Sequence, residues 1–250
     1  MLNAALSELL DFFSPLSAVQ RQEGGAVTLL TPGTNVLGLN ATYLPDLYLP
    51  DLKAAALPEN DQQAIHQPSG ILENVSAWHA AHSLPVLLAT SQPVDHARLA
   101  ISLHVGTVAL NGQPESGVVV EQVSRLHVAG WAHILATARG TPEWGADLAH
   151  HLGRVLEGNR DFVLLQAYQD GEPAGALLWR ATAVGGATHL WGALTPEAGP
   201  ALLEAAAHLG GGQVTTSAPT GDAVHLEGTL PVWFSVLHWN SDAAPAICRM

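Results

Sequence analysis

Apolar residues recur at three- and four-residue intervals over 2–13, and Pro15 follows, so an amphipathic helix that proline stops is predicted there. Two strands are predicted over 26–31 and 36–43, on either side of Pro32-Gly33. The stretch 45–68 is rich in Pro, Asp and Gln and reads as loop with a short helix over 52–57. The pattern then predicts a helix over 71–82, a strand over 85–90, a helix over 95–104 ended by Gly106, and a strand over 107–110. Residues 111–117, Asn-Gly-Gln-Pro-Glu-Ser-Gly, form the best linker in the chain.

Beyond it, 118–135 begins extended and turns helical. Thr141-Pro142-Glu143 is a helix start in which Thr caps, Pro takes the first helical position and Glu meets the positive end; that helix is predicted to reach 156. Three strands joined by tight turns follow, at 162–168, 174–182 and 187–194, with Asp170-Gly171 and Gly185-Gly186 between them. A helix over 198–209, a strand over 213–217 and a last strand over 232–239 complete the pattern. An antiparallel meander followed by a helix and a parallel strand builds a cleft in which a helix N-terminus faces the third strand, and such a cleft suits a pyrophosphate.

The two halves echo each other. Ala80-Ala81-His82 recurs as Ala206-Ala207-His208, Thr90-Ser91 as Thr216-Ser217, and Pro93 as Pro219, all at an offset of 126. In both places a helix ends and the next strand closes on Thr-Ser-X-Pro, which points to two related lobes, 1–113 and 118–250.

Composition narrows the function classes. Of 250 residues 48% are apolar and 12% charged, enough for a large core, yet no stretch is apolar for the roughly 18 residues a membrane helix needs. The net charge is −13 and the only lysine is Lys53, so neither nucleic acid nor an anionic membrane is expected as a partner. A phosphate-bearing ligand would have to be held by main-chain N–H groups. Cys248 is the single cysteine, which excludes an internal disulfide or thiolate metal site. The N-terminal stretch has no basic residues before its apolar run, and a reducing cytoplasm is expected. Thirteen histidines include His79 and His82 on one helix and the adjacent His150-His151, but no set with zinc-ligand spacing, so no metal is expected. The seven tryptophans are assigned to core or inter-lobe packing.

Several motifs in the second half carry a resemblance. Gly-Glu-Pro-Ala-Gly at 171–175 resembles the second meander turn of the GCN5-related N-acetyltransferase (GNAT) superfamily. Thr195-Pro196-Glu197 resembles the segment preceding that family's acyl-CoA loop, and Ala201-Leu-Leu-Glu-Ala-Ala the helix after it. The resemblance spans about 118–240, and the first half is similar to the degenerate N-terminal lobe of two-lobe members. It implies an α/β (α+β) acyl-CoA N-acyltransferase fold, a mixed and mostly antiparallel sheet flanked by helices, in two related lobes. It also implies an acetyl-CoA substrate and a small-molecule amine as acceptor. The residues it assigns are Gly192, Ala193 and Leu194 against the pantetheine, Ala198 and Gly199 at the pyrophosphate, and His189 as general base, with Trp191 on the same strand face two residues away.

Two departures stand out. Between Glu197 and the helix the family carries a glycine-rich loop, whereas this chain has only Ala198-Gly199-Pro200, with no arginine and one proline lacking an N–H. The family's usual tyrosine acid has no counterpart, since no tyrosine follows Tyr168. The competing expectation is a non-catalytic protein of the same fold that binds a ligand in the cleft or forms a homodimer.

Overall fold

The computed structural model describes residues 1–49, 70–95, 97–108, 117–221 and 224–237. The short helix predicted over 52–57, most of the linker and the end of the last predicted strand fall outside them. Helix α1 (Ala4–Phe13) starts where Asn3 Oδ1 accepts the Leu6 N–H at 2.8 Å and ends where Pro15 opens a 3-10 turn. It is followed by β1 (Val19–Glu23), β2 (Ala26–Leu30), β3 (Thr42–Tyr43), α2 (Gly70–Ala81), β4 (Leu87–Thr90) and β5 (Arg98–Val108). The second half comprises β6 (Val118–Val123), α3 (Val128–Ala138), α4 (Gly145–Val155), β7 (Phe162–Gln169), β8 (Glu172–Thr182), β9 (Gly185–Ala193), α5 (Ala198–Leu209), β10 (Val214–Pro219) and β11 (Leu226–Val236).

Four expectations change. The helix predicted over 95–104 is instead most of the eleven-residue strand β5. It is hydrogen-bonded on both sides, to β10 and to β11, and that pairing outweighs the helical spacing of Leu99, Leu103 and their neighbours. Polar β1, with one apolar residue in Val-Gln-Arg-Gln-Glu, gives no strand signal yet pairs with β2 at the sheet edge. The strand predicted over 36–43 shrinks to β3, because Asn40 ties the preceding segment into a loop: its side chain accepts from Thr31 N–H at 2.8 Å and donates to Thr34 O at 2.9 Å. Thr141 does not cap α4. Its N–H (2.9 Å) and hydroxyl (3.4 Å) both donate to the Ala136 carbonyl, closing the end of α3.

The eleven strands of the described residues join one sheet in the order β1-β2-β3-β4-β11-β5-β10-β9-β8-β7-β6. The order is symmetric about its centre. Each half contains a parallel strand–helix–strand unit, β3-α2-β4 and β9-α5-β10. The helices α2 and α5 are both twelve residues long and start 128 positions apart (198 − 70), close to the offset of the sequence echo. The last strand of each half is exchanged: β5 pairs with β10 of the second half, and β11 pairs with β4 of the first. Among the described residues the first half has one helix, α1, ahead of its strands, where the second half has β6, α3 and α4.

Alternation along the strands separates two faces. Leu164, Ala176, Leu178 and Leu190 join one core cluster with α1, α3 and α4, while Leu165, Leu177, Trp179 and Trp191 join another under α5. A third cluster sets Leu88 against Leu72 of α2. Helix α1 crosses from its own half onto the second. Phe12 meets Phe162 edge-on at 5.9 Å, Arg180 donates to the Asp11 carbonyl, and His151 Nε2 lies 2.6 Å from the Leu16 carbonyl. Leu6, Leu9, Phe12 and Phe13 of α1 are all buried, each contributing about 1.5–3 kcal/mol.

Candidate functional site

The parallel pairing of β9 with β10 covers only Gly186–Val214, Ala187–Thr215 and Thr188–Thr216. Both strands then continue, β9 to Ala193 and β10 to Pro219, without pairing to each other, so they diverge from His189 onward. A bulge sits at this apex. On the β8 side Leu178 faces Leu190 and Arg180 faces Ala187, which leaves Thr188 and His189 together opposite Trp179.

The bulge corrects the expectation that His189 and Trp191 share a face. The extra residue rotates His189 onto the α1 face, where its ring lies 5.1 Å from Phe12 and 6.5 Å from Phe13. Trp191 stays on the α5 face. The His189 side chain is fully buried, with Nε2 at 3.5 Å from Glu8 Oε1. That separation is an electrostatic contact rather than a well-formed hydrogen bond, and both ring nitrogens lack a hydrogen-bond partner. Burial pushes the His189 pKa down and Glu8 opposes it, leaving the imidazole neutral at pH 7. The interaction with His189 holds the Glu8 carboxyl below its usual range.

Main-chain groups beyond the apex divide by parity. The Leu194 N–H donates to the Ala174 carbonyl at 2.7 Å, so Leu194, and Gly192 two residues before it, turn their amides to β8. Their amides therefore serve the β8–β9 pairing. Trp191 and Ala193 turn theirs toward the divergence. Gly192 has a packing reason to be glycine: a Cβ there would stand 2.9 Å from Ala138 Cβ on α3. Ala198 and Gly199, in the first turn of α5, are buried, and a Cβ at Gly199 would lie 3.5 Å from Trp191 Cζ3. Glu197 is exposed at the helix start and makes no side-chain cap.

Three residues that the sequence does not assign to the site shape it. The Trp191 indole spans the divergence, with Nε1 donating to the Ser217 carbonyl at 3.1 Å. Arg139, at the end of α3, donates from Nε and Nη2 to the Trp191 carbonyl at 3.1 and 2.8 Å. A cation therefore reaches the site from another element, although the loop before α5 contains none. Glu8 is the third. No sequence signal links 8 or 139 to 189–191, because the juxtaposition is tertiary. Thr188 Oγ1, on β9, and Thr195 Oγ1, in the turn after it, are also buried without a hydrogen-bond partner. A separate groove of about 430 Å³ lies between α5 and β6, lined by Val120, Gln122, Leu165, Ala205, His208 and Leu209.

Among the described residues no three His, Cys, Asp or Glu side chains converge as a metal site, and no helix is long and apolar enough to cross a membrane. His79 and His151 are buried and engaged by Thr42 Oγ1 (3.1 Å) and the Leu16 carbonyl respectively.

No protein-family model matches the sequence, and no curated protein matches it. Among solved structures the chain is similar to a GCN5-related N-acetyltransferase from Kribbella flavida. The identity is 15%, covering 94% of this chain and 96% of that one, with a TM-score of 0.57. It is also similar to a functionally unknown conserved protein from Staphylococcus epidermidis, with 13% identity over 90% of this chain and 97% of that one and a TM-score of 0.52. The chain thus has the α/β fold of the GCN5-related N-acetyltransferases in a divergent, two-lobed form.

Proposed function

We propose that the protein is an N-acyltransferase that binds acetyl-CoA at the β9–β10 divergence and moves the acetyl group to the amine of a small molecule. The observation that carries this reading is the end of β9–β10 pairing at the Thr188–His189 bulge, which leaves the N–H groups of Trp191 and Ala193 outside the β9–β10 ladder beside the start of α5. In this reading Ala193 contacts the pantetheine, and Gly192 and Leu194 hold β9 in place from the β8 side. The first-turn amides of Ala198 and Gly199 meet the pyrophosphate. Neutral His189 takes the proton of the attacking amine as the N–C bond forms and the C–S bond breaks; the thiolate of CoA leaves and is protonated from solvent. For the ligand to enter, the Trp191 indole must release the Ser217 carbonyl. We further propose that the lobes divide at 113/118 and that the protein acts in the cytoplasm.

A specific observation favours a second reading, a non-catalytic ligand-binding or dimerising protein. Trp191 and Arg139 already occupy the divergence, and Glu197 opposes an anion at the helix start. Thermal unfolding with rising acetyl-CoA or CoA, combined with thiol release in the presence of a panel of amines, separates the readings. A ligand at 100 times its Kd adds about 2.7 kcal/mol of stability. Stabilisation with thiol release supports the enzyme. Stabilisation without release supports the second reading, and no stabilisation at millimolar CoA overturns the acyl-CoA site.

A further inference from the structure

Helix α1 lies in the first half of the chain, yet its one half-buried carboxylate is directed at the buried histidine of the second. Glu8 Oε1 lies 3.5 Å from His189 Nε2, and the Glu8 side chain is 32% exposed while that of His189 is 0% exposed. Glu8 is thus in contact with both solvent and the imidazole. The other charged group acting on it is Arg180 of β8, whose guanidinium lies over Phe162 and holds the Asp11 carbonyl of α1. Phe12 and Phe13 enclose the remainder of the ring. The docking of α1 on β8, β9 and α4 therefore fixes the carboxylate relative to the ring.

We infer that Glu8 is a positioning residue for His189, supplied by the first lobe to the site of the second, and the outlet through which the His189 proton reaches solvent. This rests on the acyl-transfer reading above. A carboxylate beside Nε2 favours the tautomer with hydrogen on Nε2 and leaves the Nδ1 lone pair free. Nδ1 is buried in the unliganded protein, so the amine reaches it only as ligand entry moves the side chains that cover it; the imidazolium then formed stands beside Glu8. The Nε2 proton then passes to the carboxylate as the pair closes from 3.5 Å to hydrogen-bond distance, and on to water, returning His189 to its neutral form. No oxidant, reductant or further reactant is involved. The first lobe, in which a single described helix precedes the strands, would thereby complete the site.

The test uses the full chain with Glu8→Gln, Glu8→Asp and His189→Gln. Imidazole NMR of His189 in the unliganded protein reads the coupling without reference to activity, and kcat/KM for acetyl transfer against pH reads its consequence. In Glu8→Gln the His189 titration is expected to move to lower pH, because the stabilising carboxylate is gone. The acidic limb of the rate profile moves the same way and the plateau falls about tenfold, against about 100-fold or more for His189→Gln. Glu8→Asp restores part of both. An unmoved His189 titration, or a Glu8→Gln rate profile that is lower but not displaced, would overturn the inference and leave the acyl-transfer reading intact. A wild-type protein that transfers no acetyl group overturns that reading and this inference with it.

Discussion

Lowering the pH from 7 to 4 should destabilise the protein, and the share of one side chain, His79, can be isolated. His79 is fully buried on α2, with Nε2 at 3.1 Å from Thr42 Oγ1, which in turn lies 2.8 Å from Thr28 Oγ1. Burial pushes its pKa from 6.5 down to about 4. Above pH 6.5 the ring is neutral in both folded and unfolded chains and contributes no pH dependence. Between 6.5 and 4 the unfolded chain takes up a proton that the folded one refuses, so stability falls with falling pH across that window and levels off below it. The difference between 6.5 and about 4 corresponds to roughly 3 kcal/mol. His151 and His189 are shifted in the same direction by burial and add to the loss. Their share persists when His79 is replaced, so the comparison of wild type with His79→Gln isolates His79. Urea unfolding followed by tryptophan fluorescence at pH 7, 5.5 and 4 should show wild type losing about 3 kcal/mol more than the variant. Parallel pH dependences would refute the assignment of a neutral, desolvated His79.

Three further outcomes follow from the packing. Gly192→Ala places a methyl group 2.9 Å from Ala138 Cβ and should cost about 1–3 kcal/mol by chemical denaturation as α3 is displaced. Trp131→Phe removes the indole N–H that meets the Leu165 carbonyl at 2.8 Å in a fully buried position, and should cost about 1–3 kcal/mol by the same assay. Fragments 1–113 and 118–250 each lack a neighbour at the centre of the sheet, because β5 and β11 are exchanged. Neither is expected to give a cooperative near-UV melt alone, whereas their mixture should.

How much of this was legible in the sequence depended on how local the determining forces are. Helix α5 was readable to the residue, because Pro196 and the Gly210 region bracket an apolar stripe. The meander was readable because alternation and turn glycines agree. The echo at 126 was readable because Thr90 and Thr216 lie on the equivalent strands β4 and β10, both fully buried. Strand β5 was misread because its state is decided by β10 and β11, more than a hundred residues away. The bulge at Thr188–His189 has no sequence mark, and it alone decides that His189 meets α1 instead of sharing a face with Trp191. Glu8 and Arg139 lie on helices whose own patterns explain only helix formation; their bearing on β9 comes from how those helices dock.

The central claim is that the divergence of β9 from β10 is where acyl-CoA binds. Amide hydrogen exchange with and without saturating acetyl-CoA tests it at the level of single segments. The account predicts slowed exchange at Trp191, Ala193, Ala198 and Gly199, with little change along β6. Unchanged exchange over 189–199, or protection confined to the groove between α5 and β6, would contradict it.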